Sequence, residues 1–151
     1  MRPAGPGDAS FITSLAGRLA AVSRLPWLPR QATDRFAAEG CEEAAAAIGQ
    51  PGHVVLIATG EPDQRLGFVH ARPDQSVFTG KRVGYISTVV VPASAAGRGV
   101  GRRLMLGAEE WARRQGCSLM TLEVFGQNTA AREVYGRLGY QEQTLKLAKP
   151  L

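Results

Sequence analysis

The sequence is informative first for what it lacks. Its 151 residues include only two cysteines, Cys41 and Cys117, which are too few for a disulfide framework. No apolar run approaches the ~20 residues that a membrane-spanning helix needs, and the first residues lack the apolar stretch of a signal peptide. These absences predict a soluble, cytoplasmic protein that does not insert into a membrane.

Two further absences limit the kinds of ligand. The two histidines, His53 and His70, stand in strand-like segments without the spacing of metal ligands, so we expect no metal site. The net charge of +5 favours anionic partners, but no long basic run with interleaved aromatic residues is present. Nucleic acid is therefore a less favoured partner than a polyanionic cofactor.

What the sequence does contain fits one folded domain over residues 1–151. The length allows a substantial core, and 44% hydrophobic residues argue against disorder. Periodicity predicts the element order ααβββαβαβ, with a first strand near Met1 that the pattern does not define, and this order is typical of an α/β sandwich with a mixed sheet. In the first half of the chain we expect a helix capped by Asp8 and ended by Pro26, a second helix over 32–48, and strands over 53–59, 66–71 and 83–91. In the second half we expect a helix from Val100 ended at Gly116, a strand over 119–125, and a helix over 129–138 capped by Asn128. The last residues, 140–151, would form one strand or a broken pair.

A glycine-rich loop between a strand and a helix is the strongest local feature. Residues 97–104 read Gly-Arg-Gly-Val-Gly-Arg-Arg-Leu and follow the apolar run Val89-Val90-Val91 after a short loop of small residues. A helix start carries unpaired backbone N–H groups and partial positive charge, and glycines let a backbone approach a ligand closely. This junction predicts a seat for an anion, typically a phosphate.

The loop alone does not identify the ligand. A dinucleotide fingerprint needs a third glycine, but that position holds Arg102 when counted from Gly97 and Leu104 when counted from Gly99. Glu123 nevertheless lies at the distance where such a fingerprint places its acidic residue. The Gly-Lys-Ser/Thr of an NTPase phosphate loop is absent. A plain strand-to-helix turn without a ligand stays open at this point.

A second block downstream makes the pattern more specific. The segment 122–140 contains Asn128, then Ala131 three positions on, Tyr135 seven positions on, and the pair Gly139-Tyr140. Together with Gly99 and Gly101, at the usual separation, it resembles the GNAT superfamily of acetyl-CoA-dependent N-acetyltransferases over roughly residues 85–151. One position departs from the family motif, because Ala96 stands where members carry Arg or Gln.

The resemblance implies a fold and a cofactor site. The fold would be a single-domain, three-layer sandwich whose central sheet is mixed, mainly antiparallel and flanked by helices. The backbone of Val89, Val90 and Val91 would hold the pantetheine arm of acetyl-CoA and supply a donor for the oxyanion. Asn128 would add a contact to its capping role. The pyrophosphate would bind the backbone amides of the loop, at Gly97, Arg98, Gly99, Val100, Gly101 and Arg102. The side chains of Arg98, Arg102 or Arg103 would add contacts; solvated charges at the helix start are the alternative, favoured for Arg103.

The resemblance also assigns two catalytic roles. Tyr135 would protonate the leaving thiolate, since a phenol is protonated at neutral pH; its place on an apolar helix stripe equally fits a core residue. Glu123 would take the amine proton, because protein N-terminal acetyltransferases of the superfamily carry a Glu twelve residues before the motif Tyr. A Glu paired with a nearby Arg stays an alternative, as does a water held by Tyr85, Ser87 or Thr88.

The predicted function is acetyl transfer from acetyl-CoA to a primary amine by direct attack on the thioester. A catalytically silent CoA-binding regulatory module and, with less support, a nicotinamide-dependent oxidoreductase are the alternatives. The acceptor, a small molecule or a peptide or protein amine, is not defined by the acceptor-side residues Arg24, Trp27, Arg30, Arg35, Glu39, Glu42 and Glu43. A tail too short for two full strands leaves a sheet edge free, so we also expect a homodimer.

Overall fold

A computed structural model describes residues 1–62 and 64–151. Its strands are β1 (Arg2–Pro3), β2 (Val54–Thr59), β3 (Arg65–Gln75), β4 (Arg82–Val90) and β5 (Met120–Leu122). Its helices are α1 (Ala9–Ser14), α2 (Ala16–Val22), α3 (Arg30–Ala46), α4 (Val100–Arg114) and α5 (Thr129–Arg137). Short 3₁₀ turns at Pro6–Asp8 and Ala93–Ala95 precede α1 and α4.

The five strands form one sheet in the order β1-β2-β3-β4-β5. The first four pair antiparallel, and β5 pairs parallel with β4. A parallel pair needs a long crossover, which α4 supplies between β4 and β5. The mixed, mainly antiparallel sheet that the resemblance implied is therefore confirmed.

Helices cover both faces of the sheet and form two cores. We call the cluster beneath α4 the α4-side core; it combines Val69 and Ile86 of the sheet with Leu104, Met105 and Ala108 of the helix. We call the cluster beneath α1 and α3 the α3-side core; its buried members include Ile12, Cys41, Ala44, Ile57 and Phe68. Burying each large apolar side chain stabilises the fold by about 1.5–3 kcal/mol, so the three-layer sandwich follows from strands that are apolar on both faces.

One glycine sets the approach of β5 to the sheet. A Cβ on Gly84 would lie 2.5 Å from Met120 Sδ and 2.9 Å from Ala112 Cβ. A side chain at this position would therefore separate β4 from both β5 and α4, and glycine lets the three elements meet.

The expected N-terminal helix is wrong in two respects. The chain makes two short helices that break at Leu15, and the Asp8 carboxylate caps neither of them. That carboxylate instead accepts hydrogen bonds from the guanidinium groups of Arg2 and Arg65 and from the Gly5 N–H. These bonds, led by those from Arg2, hold the pKa of Asp8 well below its usual range despite its burial. The carboxylate thus ties β1 and β3 to the turn before α1.

The C-terminal strands are also shorter than expected. The strand predicted over 119–125 spans only Met120–Leu122, and the tail over 141–151 contains no helix or strand and is exposed throughout. A strand needs a neighbouring strand for its hydrogen bonds, and no described strand pairs with the tail, whose Glu142 instead pairs with Arg132 of α5. Alternating leucines and lysines in the tail therefore do not suffice to make a strand.

Candidate active site

The site begins where β4 and β5 diverge. The pairing of these strands ends at Ile86 and Leu122, whereas β4 continues to Val90. In β4 the register with β3 shifts so that Ile86 faces Ala71 and Thr88 faces His70, which leaves Ser87 as the extra residue of a β-bulge. Bulges redirect the backbone and interrupt the ladder. The β5-facing backbone of β4 beyond Ile86 therefore has no strand partner within 1–62 and 64–151.

Ser87 is a polar group that the sequence suggested only as a holder of water. Its Oγ is buried and has no hydrogen-bond partner among the described residues. A buried hydroxyl without a partner costs about 1–3 kcal/mol, so a water or ligand atom at the bulge would stabilise it. The neighbouring Thr88 is committed elsewhere, since its Oγ1 donates to the Gly40 carbonyl at 3.4 Å.

The three valines lie at this opening as predicted for a buried strand. Val90 is buried in the α3-side core, whereas Val89 and Val91 pack against the α4-side core. Their side chains are thus used for packing, and only main-chain groups remain for a ligand. The Val91 carbonyl already accepts a hydrogen bond from Arg18 Nε at 3.2 Å.

The glycine loop forms the start of α4. Gly97 and Gly99 take left-handed conformations, with φ of 74° and 72°, and a Cβ on either would meet no atom within 4 Å. Gly99 is the N-cap and offers no side chain to the first turn. The N–H groups of Val100, Gly101 and Arg102 consequently have no intrahelical acceptor, and the surface above them is open to an anion.

Positive charge accumulates at this helix start. The first turn holds no acidic residue, while Arg98, Arg102 and Arg103 are exposed and form no ion pair within the described part of the chain. Cations at a helix N-terminus are unfavourable because they meet the positive end of the dipole. A bound pyrophosphate would offset the unfavourable positive charge at this helix start. The backbone N–H groups and the arginines therefore fit a polyanion without any contribution from Ala96.

The helix α5 presents the next two predicted residues. Asn128 caps it as expected, because its Oδ1 accepts from the Ala131 N–H at 3.3 Å. This leaves the Asn128 side-chain NH₂ without a partner in the described structure. Tyr135 packs against the α4-side core, and burial raises the pKa of its phenol to about 12. Its hydroxyl is protonated at neutral pH and donates to no described residue.

A second tyrosine beside it is occupied. The rings of Tyr135 and Tyr140 lie 6.0 Å apart, and the Tyr140 hydroxyl donates to Glu109 Oε1 at 3.1 Å. Burial, followed by the charge of Glu109, raises the pKa of Tyr140. Of the two phenols, Tyr135 is therefore the one with a free donor.

Glu123 lies directly after β5 rather than within it, so strand alternation does not set the direction of its side chain. It is exposed and makes neither a hydrogen bond nor an ion pair with any described residue, so the alternative of a structural Glu–Arg pair is not seen. Its carboxylate lies close enough to Tyr85 to raise the pKa of that phenol, after the larger effect of burial.

A cleft that the sequence did not reveal opens between the α2–α3 loop and the segment after β5. It has a volume of about 320 Å³ and is lined by Arg24, Leu25, Pro26, Leu28, Arg30, Thr33 and Gln127. An adjoining cleft of about 330 Å³ shares Leu28 and Thr33 and is lined further by Ser23, Ala32, Phe36 and Phe125. These residues come from separate segments, and no sequence motif connects them.

Comparison with known families identifies the arrangement. The model of the acetyltransferase (GNAT) family matches residues 19–140. The chain belongs to the GNAT acetyltransferase family. Members use acetyl-CoA as a co-substrate, and relatives of this chain are named N-acetyltransferases, so this chain is an N-acetyltransferase. The nicotinamide and silent-module alternatives find no support among them.

Three relatives and one solved structure illustrate the likeness. An uncharacterized N-acetyltransferase of Bacillus subtilis is 32% identical over 76% of this chain and 75% of its own length. Glucosamine 6-phosphate N-acetyltransferase 1 of Oryza sativa is 30% identical over 95% of this chain and 88% of its own length. The mycothiol acetyltransferase of Rhodococcus erythropolis is 31% identical over 95% of this chain, but the chain spans only 46% of that protein. An acetyl transferase structure from Pyrococcus furiosus has a TM-score of 0.74 and 26% identity, covering 94% of this chain and 93% of its own.

Two further features of the N-acetyltransferase concern membranes and metals. No helix within 1–62 and 64–151 combines the length and the apolar character of a membrane span. The described residues also contain no group of three or more His, Cys, Asp or Glu side chains placed to hold a metal ion.

Proposed function

We propose that this N-acetyltransferase, as one domain over residues 1–151, transfers the acetyl group of acetyl-CoA to the primary amine of a small molecule by direct attack on the thioester. The observation that carries this proposal is the opening beside β4, where the unpaired main chain, the amide-rich start of α4 and Tyr135 all border the α4-side core. No other described region combines a polyanion seat with a free proton donor.

The chain's own groups divide the binding of acetyl-CoA between them. The backbone N–H groups of residues 97–102 bind the pyrophosphate, and the guanidinium groups of Arg98 and Arg102 belong to the same segment. The main chain of Val89, Val90 and Val91 holds the pantetheine arm as an added strand would, which is supported by the lack of any strand partner there. The free NH₂ of Asn128 gives a further contact beside the start of α5.

The chemistry needs a base, an oxyanion donor and an acid. Glu123 takes the proton that the amine must lose, since free amines with a pKa near ~10 are mostly protonated at neutral pH. A main-chain N–H at the β4 bulge donates to the developing charge on the thioester oxygen. As the N–C bond forms and the C–S bond breaks, Tyr135 gives its proton to the departing thiolate, and the nitrogen, positively charged after attack, releases its second proton to water. Both side chains then exchange protons with solvent and return to their starting states.

A small-molecule acceptor is supported by the relatives' names. One is named for glucosamine 6-phosphate and another for mycothiol, and the first of them aligns with nearly the whole of this chain. The acceptor would reach the thioester from the cleft on the α3 side, opposite the start of α4.

The test is a turnover assay of CoA release with acetyl-CoA and an amine panel. The panel holds glucosamine 6-phosphate, glucosamine, amino acids, polyamines, aminoglycosides and peptides. We expect at least one small amine to be acetylated with kcat/KM well above the rate of hydrolysis. Turnover of peptides alone would replace the small-molecule acceptor by a peptide amine, and tight acetyl-CoA binding without any turnover would favour a silent module.

We further propose a homodimer. Its support is the free outer edge of β5, which pairs with β4 over three residues, together with leucines at 145 and 147 that are 75% and 89% exposed. An unpaired strand edge is a template for pairing with a second chain.

A further inference from the structure

The cleft between the α2–α3 loop and the segment after β5 carries positive charge. Arg24 and Arg30 line it, and none of the other lining residues is acidic. Arg24 forms no ion pair with any described residue. Arg30 Nε lies 3.8 Å from Asp34 Oδ2, but both side chains are exposed, and such a pair contributes little. The two guanidinium groups are therefore available to an anion.

A threonine hydroxyl without a protein partner lies in the same place. Thr33 is only 5% exposed as a whole residue, lines both adjoining clefts, and hydrogen-bonds to no described residue. Its hydroxyl oxygen is not one of the fully buried atoms, so it is accessible from the cleft. An oxygen of a carboxylate or phosphate would accept from this hydroxyl and from the arginines at once.

The second half of the cleft suits the carbon frame of such a molecule. Phe36 and Phe125 meet edge to face with centroids 5.6 Å apart, and Leu28 lies between the two clefts. These side chains are exposed or half-buried, so they offer apolar surface to a ligand.

Helix α3 connects the cleft to the β4 opening. Seven residues separate Thr33 from Gly40, which is about 10 Å of helix. The Gly40 carbonyl accepts from Thr88, the neighbour of the bulged Ser87. An anion held at Thr33 would therefore leave the rest of a single small molecule within reach of the β4 opening.

We infer that the amine acceptor of this enzyme carries a carboxylate or a phosphate, which binds Arg24, Arg30 and Thr33 at the far end of the cleft from the β4 opening. This rests on the proposed function, because it assigns the cleft to the acceptor. Arg24 and Arg30 then select the acceptor, and they take no part in binding acetyl-CoA.

The experiment compares matched amines that differ only in the anionic group. The pairs are glucosamine 6-phosphate against glucosamine, for phosphate, and lysine against 1,5-diaminopentane, for carboxylate. With the wild-type protein we expect kcat/KM at least tenfold higher for the anionic member of one pair, and the productive pair tells phosphate from carboxylate. In Arg24→Gln/Arg30→Gln that advantage should vanish through KM for the amine, with KM for acetyl-CoA unchanged.

A matched control removes an arginine outside the cleft. Arg114 lies in the last turn of α4, is exposed and, like Arg30, pairs with an exposed carboxylate four residues away, Glu110, at 3.3 Å, so Arg114→Gln should keep the full preference for the anionic amine. Equal loss in Arg114→Gln would show that general charge, rather than the cleft, attracts the acceptor, and would overturn the inference.

Binding measurements keep this inference separate from the proposed function. Calorimetry with the same four amines on the CoA-loaded protein reports selectivity whether or not acetyl transfer occurs. Absent turnover with selective, Arg24- and Arg30-dependent binding would refute the proposed function and leave the anion site standing. Turnover of neutral and anionic amines at equal kcat/KM would refute the anion site and leave the acetyltransferase activity standing.

Discussion

Among individual residues, Tyr135 is the proposed general acid. Its ring packs in the α4-side core while its hydroxyl stays free, so Tyr135→Phe removes the proton and keeps the packing. We expect kcat to fall by roughly 10²-fold or more, the low end for general acid catalysis, with the Kd for acetyl-CoA little changed. Steady-state kinetics and calorimetry measure the two quantities. Because the pKa of Tyr135 is about 12, its ionisation should not limit the rate below pH 10.

Tyr140→Phe is the matched control. This change removes a hydroxyl that donates to Glu109, so it should lower Tm with little effect on kcat. An unchanged kcat in Tyr135→Phe would make Tyr135 a core residue of the α5 stripe and no more.

Glu123 is tested through pH. If its carboxylate takes the amine proton, Glu123→Gln should reduce kcat/KM most near neutral pH, and the deficit should shrink as pH rises because the amine then deprotonates unaided. The fold should be unaffected, since the exposed Glu123 has no partner among the described residues. Rate profiles from pH 6.5 to 10 on a confirmed acceptor provide the measurement.

The control for this profile is Glu133→Gln, which removes an exposed carboxylate paired with Arg137 on α5 and should leave the profile unchanged. A Glu123→Gln deficit of equal size at every pH would argue against the base role. Deprotonation would then pass to water, for which the unpartnered Ser87 Oγ at the bulge offers a hydrogen bond.

The histidine pair on β2 and β3 links stability to pH. His53 Nδ1 and His70 Nε2 are 2.9 Å apart, and burial, then the charge of His53, lowers the pKa of His70 from 6.5 to about 4. Between pH 4 and pH 6.5 the unfolded chain binds more protons than the folded one. The contribution of the neutral His70 to stability is therefore fully present above pH 6.5 and is lost as the pH falls toward 4. We expect the free energy of unfolding in urea to be about 2 kcal/mol lower at pH 5 than at pH 7.5.

His70→Leu provides the comparison for that decline. The variant lacks the buried imidazole, so the difference between pH 5 and pH 7.5 should largely disappear, whatever its absolute stability. Asp8, whose pKa is also lowered, loses its contribution to stability only below pH 4 and does not interfere. An NMR titration of the His70 ring with a midpoint near 6.5 would contradict the assignment.

At the scale of elements, the start of α4 is the part whose role can be tested alone. Gly101 lies inside the helix, and a Cβ there would meet only Val91 Cγ2, at 3.9 Å. Gly101→Val should therefore leave the fold intact while its side chain crowds the amides, and CoA binding should weaken at least tenfold, which is about 1.4 kcal/mol. Gly99 is unsuitable for this test because its φ of 72° strains any other residue.

Gly17→Val in α2 is the control, since a Cβ there has no neighbour within 4 Å. This variant should bind CoA with wild-type affinity, measured by calorimetry. Any change in its circular dichroism spectrum should be no larger than the change seen in Gly101→Val. Wild-type affinity in Gly101→Val would mean that the pyrophosphate lies elsewhere.

Elements with strong apolar periodicity could be predicted from the sequence. Features that depend on pairing with a neighbouring strand, such as the length of a strand or a bulge, could not. The stripe of Val100, Leu104, Ala108 and Trp111 predicts α4, and all four side chains are buried. The length of β5 depends on where it diverges from β4, and the bulge at Ser87 depends on the register with β3. Neither pairing leaves a local signal in the sequence.

At the scale of the whole molecule, a family motif names the proposed cofactor residues, whereas no motif names the residues of the cleft proposed for the acceptor. The proposed cofactor residues lie within about a third of the chain. The cleft proposed for the acceptor brings Arg24 and Thr33 of the α2–α3 region together with Phe125, about 90 residues later in the chain. Only the packing of α3 against the sheet places them side by side.

The proposed homodimer follows from the sheet edge. The tail over 141–151 is exposed and carries alternating Leu145, Lys146 and Leu147, a period that suits a strand once a partner edge is present. We expect the tail of one protomer to pair along the free edge of β5 in the other, so that sedimentation velocity at micromolar concentration gives a dimer. Deleting residues 144–151 should yield a monomer with the same circular dichroism spectrum per residue apart from the lost tail strands. A strict monomer for the whole chain at these concentrations would remove the dimer, and a dimer that survives the deletion would place its interface away from β5.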